Sequence, residues 1–486
     1  MTTAITDKID RRTWIVSGVV MLGAVMTILD TTIVNVALAT LSHDLHSTVD
    51  QVQWVVTGYL LALAATIPVT GWAGRRFGAK QVYLVSVVMF TLGSALCGLA
   101  TSLPELIAFR VLQGIGGGMV MPIGMQMMAE AAGPKRIGRV MSMLAVPMML
   151  APILGPTIGG VLIQNISWRW IFYVNVPVGV IAVISALRVL PWVKPGDAGP
   201  LDFRGLLLMS GGTALLTYGL AEIGSTGGFT SAKVVGPILG GLVLIALFVF
   251  AALRVPRPLL DVRLYRRPTF STASVAMFAL AAALFGGMIL LPLYWQEIRH
   301  FDVIDAGLLM APQGLGAAIA MPLAGKLSDR YGGGPIALVG VLVTTLFTIP
   351  FGLIGVHTSI AYLSVMMLLR GTGIGFGMMP AMTAAFASLK RSELSDATPQ
   401  LNVLQRIGGS IGTAVLAVVL QRSLVGALTP AAKAGAYGTA FWASAILAAI
   451  AIVPSIMLVR AERAARAAQP EQVEAQHEVA LEAAAA

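Results

Sequence analysis

Of 486 residues, 57% are hydrophobic and 11% charged, and mean hydropathy is +0.84, a balance no water-soluble domain carries without exposing its surplus apolar surface. The single cysteine, Cys97, lies in an apolar run, reads as a packing residue and excludes a disulfide framework, a zinc ribbon or an iron–sulfur site. The net charge of +10 does not argue for nucleic acid, because the basic residues fall in short loops between apolar runs, where they set orientation.

About 20 apolar residues cross a bilayer core. Such runs predict spans at 14–38, 52–74, 82–100, 104–128, 138–163, 171–190, 203–223, 234–253, 270–295, 305–327, 335–353, 359–383, 401–421 and 438–459. The first run, Trp14 to Leu38, is too long for a signal-peptide core and reads as the first span. Fourteen spans put both termini on one side. Loops on that side hold 24 lysines and arginines against 5 on the other, so both termini are expected in the cytoplasm of a multi-pass plasma (inner) membrane protein.

The chain repeats itself. Gly71-Trp72-Ala73-Gly74-Arg75-Arg76-Phe77-Gly78, after the second span, has the shape of Gly325-Lys326-Leu327-Ser328-Asp329-Arg330-Tyr331-Gly332, after the tenth, at an offset of 254 residues. Arg110 to Gly114, continuing to Met121-Pro122, matches Arg370 to Gly373, continuing to Met379-Pro380, at an offset of 260. The expected organisation is all-α: a cytoplasmic N-terminus (1–13), a six-helix bundle (14–190), two inserted transmembrane helices with their loops (191–269), a second six-helix bundle (270–459) and a cytoplasmic tail (460–486). Duplicated bundles of this kind place a binding site between the halves and work by rocking one against the other.

Five segments in order resemble the fourteen-helix drug:proton antiporters of the EmrB/QacA type, within the major facilitator superfamily. They are Leu29-Asp30-Thr31-Thr32-Ile33-Val34-Asn35-Val36-Ala37-Leu38, the Gly71 to Gly78 loop, Arg110-Val111-Leu112-Gln113-Gly114, Ala151 to Gly160, and Trp168 to Gly179. The resemblance covers Trp14 to Arg460 and implies the major facilitator fold and proton-coupled multidrug efflux. It also implies that the motif with Gly155, Pro156 and Gly159 in the fifth span restrains leak and guides the conformational change. Two departures stand out. Arg75 occupies a position where the superfamily usually has Asp, although the second copy keeps Asp329, so the gate's charge network is expected to be asymmetric. The tenth and thirteenth spans lack the acids that some relatives use for divalent cations, which argues against dicationic substrates.

An intramembrane carboxylate costs roughly 2.5 to 3.5 kcal/mol on insertion scales and is a functional candidate by default. Asp30 lies about 6 Å to the outer side of its span's centre and Arg110 about 9 Å to the same side of its own, depths that suit a charge pair. A proton-coupling role for the two is preferred to a structural ion pair between spans. Glu222, near the outer end of the seventh span, is a weaker proton candidate, since a side chain there reaches the interface cheaply. Arg370 occupies the pseudo-symmetric place of Arg110 without an evident acid, leaving carbonyls, water or an anionic substrate group as partners. Arg406, with Asn402 and Gln405, either lines a vestibule or bridges helices. Asp329 with Lys326 and Arg330 suits charge-assisted bonds that hold an inner gate, and Arg75 and Arg76 are its counterparts in the first half.

Cavity-lining candidates are Trp54, Tyr59, Gln113, Met119, Phe285, Tyr294, Trp295, Gln313, Met378 and the polar residues just named, because methionine and aromatic side chains repack around varied shapes. Glycine pairs such as Gly114-xxx-Gly118, Gly373-xxx-Gly377 and Gly408-xxx-Gly412 sit inside apolar spans and read as helix contacts, and no phosphate loop occurs. The expected activity is proton-coupled export of small hydrophobic or cationic compounds by alternating access, with export of lipids or natural products as the alternative. A membrane enzyme would need paired acids, a histidine cluster or an activated nucleophile at membrane depth, and a sensor would not need duplicated halves. The expected partners are small hydrophobic or amphipathic substrates, protons and membrane lipids, with no nucleic acid, cofactor or metal; a monomer is expected, with any periplasmic adaptor left open.

Overall fold

The computed structural model describes residues 9–133, 136–192, 196, 198–226, 228 and 230–467. The side chains of Pro152 and Pro156 and the tail from 468 lie outside the described residues.

The predicted spans form long helices: α1 (Arg11–Asp44), α2 (Asp50–Phe77), α3 (Ala79–Leu99), α4 (Leu103–Ala132), α5 (Ile137–Asn165), α6 (Trp170–Val189), α7 (Phe203–Thr226), α8 (Ala232–Ala252), α9 (Pro268–Glu297), α10 (Ile304–Tyr331), α11 (Gly333–Leu353), α12 (Ile360–Ala387), α13 (Arg391–Leu424) and α14 (Pro430–Ala467). Among the described residues 13 are long and apolar enough to cross a membrane, and α5, with 29 residues, is the further one. Several overrun the apolar runs that predicted them; α1, at 34 residues, extends beyond both ends of 14–38. A helix continues into the polar boundary wherever caps and loop contacts satisfy its backbone, which hydropathy alone does not register.

The repeated loops owe their shape to one residue each. Gly78 (φ 90°) ends α2 and Gly332 (φ 98°) ends α10, and the next helix starts at once. That backbone region strains any residue with a Cβ, so the glycine closing each copy of the motif is what permits the reversal.

Lipid gives apolar helices little reason to pair, so close backbone approach and polar ties hold the bundles. The glycine pairs supply the approach. A Cβ on Gly114 would lie 2.6 Å from the Tyr59 carbonyl oxygen, one on Gly373 2.5 Å from the Thr344 nitrogen, and one on Gly412 1.9 Å from the Ala282 carbonyl oxygen. These contacts join α4 to α2, α12 to α11 and α13 to α9.

Helices α1 to α6 pack together, as do α9 to α14. The two groups meet along α5 against α10 and along α13 against α4 and the last turns of α2. Helix α7 fills the second seam between α2 and α13: Ser210 and Thr213 donate to the carbonyls of Ala65 and Ala64, Trp54 stacks on Tyr218 with ring centroids 5.9 Å apart, and Leu216 and Leu220 pack with Ala414 and Val418. Helix α8 leans on α7 and exposes Leu239, Leu242, Val243 and Phe250. Both ends of the described chain, residues 9 and 467, belong to one face of the bundle, called here the terminal face.

Candidate coupling and gating sites

Asp30 sits in the second half of α1 with none of its surface exposed, and Arg110 of α4 is 1% exposed. The structure brings them together. Arg110 Nη1 is 2.6 Å from Asp30 Oδ2. Gln113 Nε2 and Asn175 Nδ2 donate to Asp30 Oδ1 at 2.8 and 3.0 Å, so α1, α4 and α6 converge on one carboxylate. Arg110 also donates through Nε to the Val55 carbonyl of α2 (3.1 Å) and through Nη1 to Gln113 Oε1 (2.7 Å), while its guanidinium lies 4.1 Å from the centre of the Tyr59 ring. Asn175 is steadied by a 3.1 Å bond to Ser94. A buried ion pair survives desolvation only when its remaining lone pairs and protons find partners, and here both Asp30 oxygens and the Nε and Nη1 of Arg110 do.

Helix α5 passes directly behind this cluster. A Cβ on Gly155 would fall 2.0 Å from Thr32 Oγ1 and one on Gly159 2.8 Å from Ile33 Cγ1, while Thr32 donates to the Ala151 carbonyl at 3.2 Å. On its other side Gly160 faces Ile304 of α10 at 3.6 Å. One helix therefore touches both the turn after Asp30 and the second half.

The second half keeps the arginine and lacks the acid. Arg370, 1% exposed, donates to Thr348 Oγ1 (3.1 Å) and Gln313 Oε1 (2.8 Å). Gly287 of α9 lies against it, with a Cβ there 2.3 Å from Nη2. Gly287 stands 257 residues after Asp30, between the two repeat offsets, so glycine occupies the acid's place. The partners are a side-chain amide carbonyl, one of the kinds expected for Arg370, and a hydroxyl, which the sequence does not suggest.

At the terminal face two ion pairs cross between the halves. Arg75 Nη1 of α2 is 2.6 Å from Asp396 Oδ1 and 3.0 Å from Ser395 Oγ, both on α13. Asp329 Oδ2 of α10 accepts from Arg139 Nε at 2.8 Å, and its Oδ1 accepts from the Gly138 N–H at 2.9 Å, in the first turn of α5. A helix N-terminus with free N–H groups favours a carboxylate there. Close approach permits both contacts: a Cβ on Gly71 would be 2.3 Å from the Ser395 carbonyl oxygen, and one on Gly325 2.7 Å from that of Gly138. Arg76, Lys326 and Arg330 are exposed and make no hydrogen bond or ion pair among the described residues, so of Asp329, Lys326 and Arg330, expected together to bond a neighbouring helix end, only Asp329 does so. Arg330 lies instead over the Tyr331 ring.

The expected cavity residues divide. Gln113 and Gln313 are sealed inside their halves as arginine partners. Tyr294 and Trp295, 0% and 1% exposed, pack with Tyr437, Phe301 and Leu291 in the core of the second half, and the Tyr294 hydroxyl donates to the Gly355 carbonyl. This corrects their placement at a cavity: their α9 face turns toward α14, not toward the first half. Trp54 is engaged by α7, and Phe285, 37% exposed, lies against Gly409 of α13. Met119, Asn402 and Gln405 are half-buried and Met378 buried; Asn402 Nδ2 is 3.5 Å from Met125 Sδ of α4, and Gln405 Nε2 is 3.6 Å from Met378 Sδ of α12. Glu222 is half-buried near the end of α7 and is not among the groups bonded to Asp30.

A family model described as Major Facilitator Superfamily matches residues 20–413. The chain belongs to that superfamily. Over 417 residues this major facilitator protein is 41% identical to the multidrug resistance protein B homolog of Mycobacterium tuberculosis, covering 85% of this chain and 77% of that one. Over 397 residues it is 30% identical to the multidrug export protein EmrB of Haemophilus influenzae, covering 81% and 78%. The proton:xylose symporter XylE shares its fold, with a TM-score of 0.61 at 14% identity over 90% of this chain and 95% of that chain.

Within this major facilitator protein, sequence reasoning missed Asn175, Ser94, Arg139 and Asp396. Asn175 stands inside the segment Trp168 to Gly179, but an asparagine in an apolar helix carries no charge to draw attention. Arg139 and Asp396 lie in the first turns of α5 and α13, where loop charge is ordinary. The signal that could have found Asp396 is Arg75 itself, since a reversed sign on one half calls for an acid on the other.

Proposed function

We infer that this major facilitator protein is a proton-coupled antiporter that exports small, largely apolar or amphipathic molecules by alternating access, with the terminal face in the cytoplasm. The observation that carries the reading is the carboxylate of Asp30, fully buried and bound by Arg110, Gln113 and Asn175 with α5 packed behind it. Ionised, Asp30 clamps α1, α4 and α6 around one point. Protonated, it no longer balances Arg110, and the three donors lose the strength of a charge-assisted bond. The cluster then repacks, and α5, touching both α1 and α10, carries the change to the other half. The terminal-face ion pairs break when the carrier opens on that side and re-form when it opens on the other. The printed names of the relatives in M. tuberculosis and H. influenzae support multidrug export as the class of cargo. The excess of basic residues on the terminal face supports its cytoplasmic placement.

The test is flux in proteoliposomes under an imposed pH step. Wild type should drive uphill export of a fluorescent drug with counter-movement of protons, and Asp30→Asn should retain only downhill exchange. Uphill export by Asp30→Asn at the wild-type rate would refute the assignment.

A further inference from the structure

Helix α14 is longer than a membrane requires. Its 38 residues rise about 57 Å against a hydrocarbon core of about 30 Å, whereas α11, beside it, has 21 residues and matches that core. The two helices meet at the terminal face. Glu462 of α14, 8% exposed, accepts from the first N–H groups of α11, Gly333 to Oε1 at 3.1 Å and Gly334 to Oε2 at 2.7 Å. The start of α11 thus puts the membrane boundary at the level of Glu462, and the last turn of α14 stands just outside it. Gly332 leaves room for this corner, since a Cβ there would be 2.4 Å from Arg466 Nη2 and 2.5 Å from Glu462 Oε1.

A groove of about 410 Å³ opens at the corner, within the range of ligand clefts, about 300 to 1,000 Å³. Its two sides differ in chemistry. Toward the membrane it is lined by Ile336 and Val339, the latter six residues, or about 9 Å, inside the boundary. Val339 is exposed and leads along α11 to exposed Leu342 and Leu346, a stripe at i, i+3 and i+7, while Val453 and Met457 are exposed on α14. Outside the boundary the groove is lined by Arg463 and Arg466. Arg466 donates to the Tyr331 carbonyl at 3.1 Å and to Glu462 Oε1 at 3.2 Å. Arg463 is exposed and makes no hydrogen bond or ion pair among the described residues. Glu462, the acid in this lining, has both oxygens engaged by N–H donors, and the N-terminus of α11 adds positive charge. The groove is therefore cationic at headgroup level and apolar below it.

We propose that this groove binds one anionic phospholipid, its phosphodiester held by Arg463 and Arg466 and an acyl chain laid along Val339 toward Leu342. Guanidinium groups suit phosphate oxygens, which they meet with paired N–H donors. A soluble anion would use the arginines and leave the apolar wall idle, and that wall runs on without a break into the surface that faces lipid. The headgroup would join the end of α10, the start of α11 and the last turn of α14, all in the second half, so the inference stands apart from the export reading.

The experiment exposes the purified full chain in detergent to equal amounts of palmitoyl-oleoyl phosphatidylglycerol and phosphatidylcholine, and native mass spectrometry counts which lipid stays bound. Wild type should retain one phosphatidylglycerol with about 25-fold preference, about fivefold for each arginine. Arg463→Gln should cut that preference about fivefold, and Arg463→Lys should keep most of it. Arg188→Gln, at an exposed arginine in the last turn of α6 on the same face, should leave it unchanged. An unchanged melting temperature shows that Arg463→Gln is folded. Equal retention of the two lipids, a preference that survives Arg463→Gln, or an equal loss in Arg188→Gln would each overturn the site. Glu471, Glu474, Glu478 and Glu482 follow α14 in the chain. A preference that appears only when all four are changed to Gln would assign the groove to the chain's own tail and reject the lipid.

Discussion

Arg75 and Asp396 meet 2.6 Å apart across the seam between the halves, and Asp329 and Arg139 form a second bridge of the same kind at 2.8 Å. In both, the first half supplies the arginine and the second half the carboxylate. Where the resemblance leads one to expect an acid, position 75 carries a base, and its partner on α13 is an acid. An Arg75→Asp substitution should therefore open the gate. Nitroxide labels at Phe77 and Lys390, both exposed, should show the long-distance population rise about fivefold, the effect of losing about 1 kcal/mol in a partly exposed pair. The double variant Arg75→Asp/Asp396→Arg should restore the wild-type distance distribution.

Stability and coupling should separate at the buried cluster. Asp30→Asn leaves Arg110 charged at 1% exposure, and breaking a buried pair on one side costs about 3 to 5 kcal/mol. The double variant Asp30→Asn/Arg110→Gln removes both charges and should regain most of the melting temperature without regaining uphill transport. A double variant as unstable as the single one would mean that the pair's worth lies in packing.

Asn175 is expected to position Asp30 rather than to carry a proton. Asn175→Leu should keep downhill flux within about threefold and lower the uphill rate, because the Asp30 carboxylate loses one of the donors that fix it. An uphill rate equal to wild type would reduce Asn175 to a packing role.

Two glycines test the packing account. Gly155→Ala places a methyl against the Thr32 hydroxyl, so Thr32→Ala, which removes that oxygen, should recover part of the loss. Gly412→Ala meets the Ala282 carbonyl, backbone that no second substitution removes, and should cost about 1 to 3 kcal/mol without rescue. Melting temperatures of the four proteins decide between these outcomes.

The fold was legible because hydropathy counts spans and the two repeats divide them. The Asp30 and Arg110 contact was legible for a related reason: charges at membrane depth are scarce, so depth along a helix nearly determines who meets whom. Neutral polar groups are not scarce, and nothing in the chain singled out Asn175 or Ser94. Rotation about a helix axis was also hidden. Tyr294 and Trp295 have the composition of a binding wall, but their face of α9 turns into the second half's own core.

The placement of both gate arginines on one half and both carboxylates on the other has an electrical consequence. Under the proposed alternating access, parting of the lips would leave one rim cationic and the facing rim anionic, so separation would create a field that pulls them back. In physiological salt that pull fades over a Debye length of about 8 Å. Under that proposal, ionic strength in the bathing solution would control how fast the mouth recloses, independent of the chemistry deeper in the bundle.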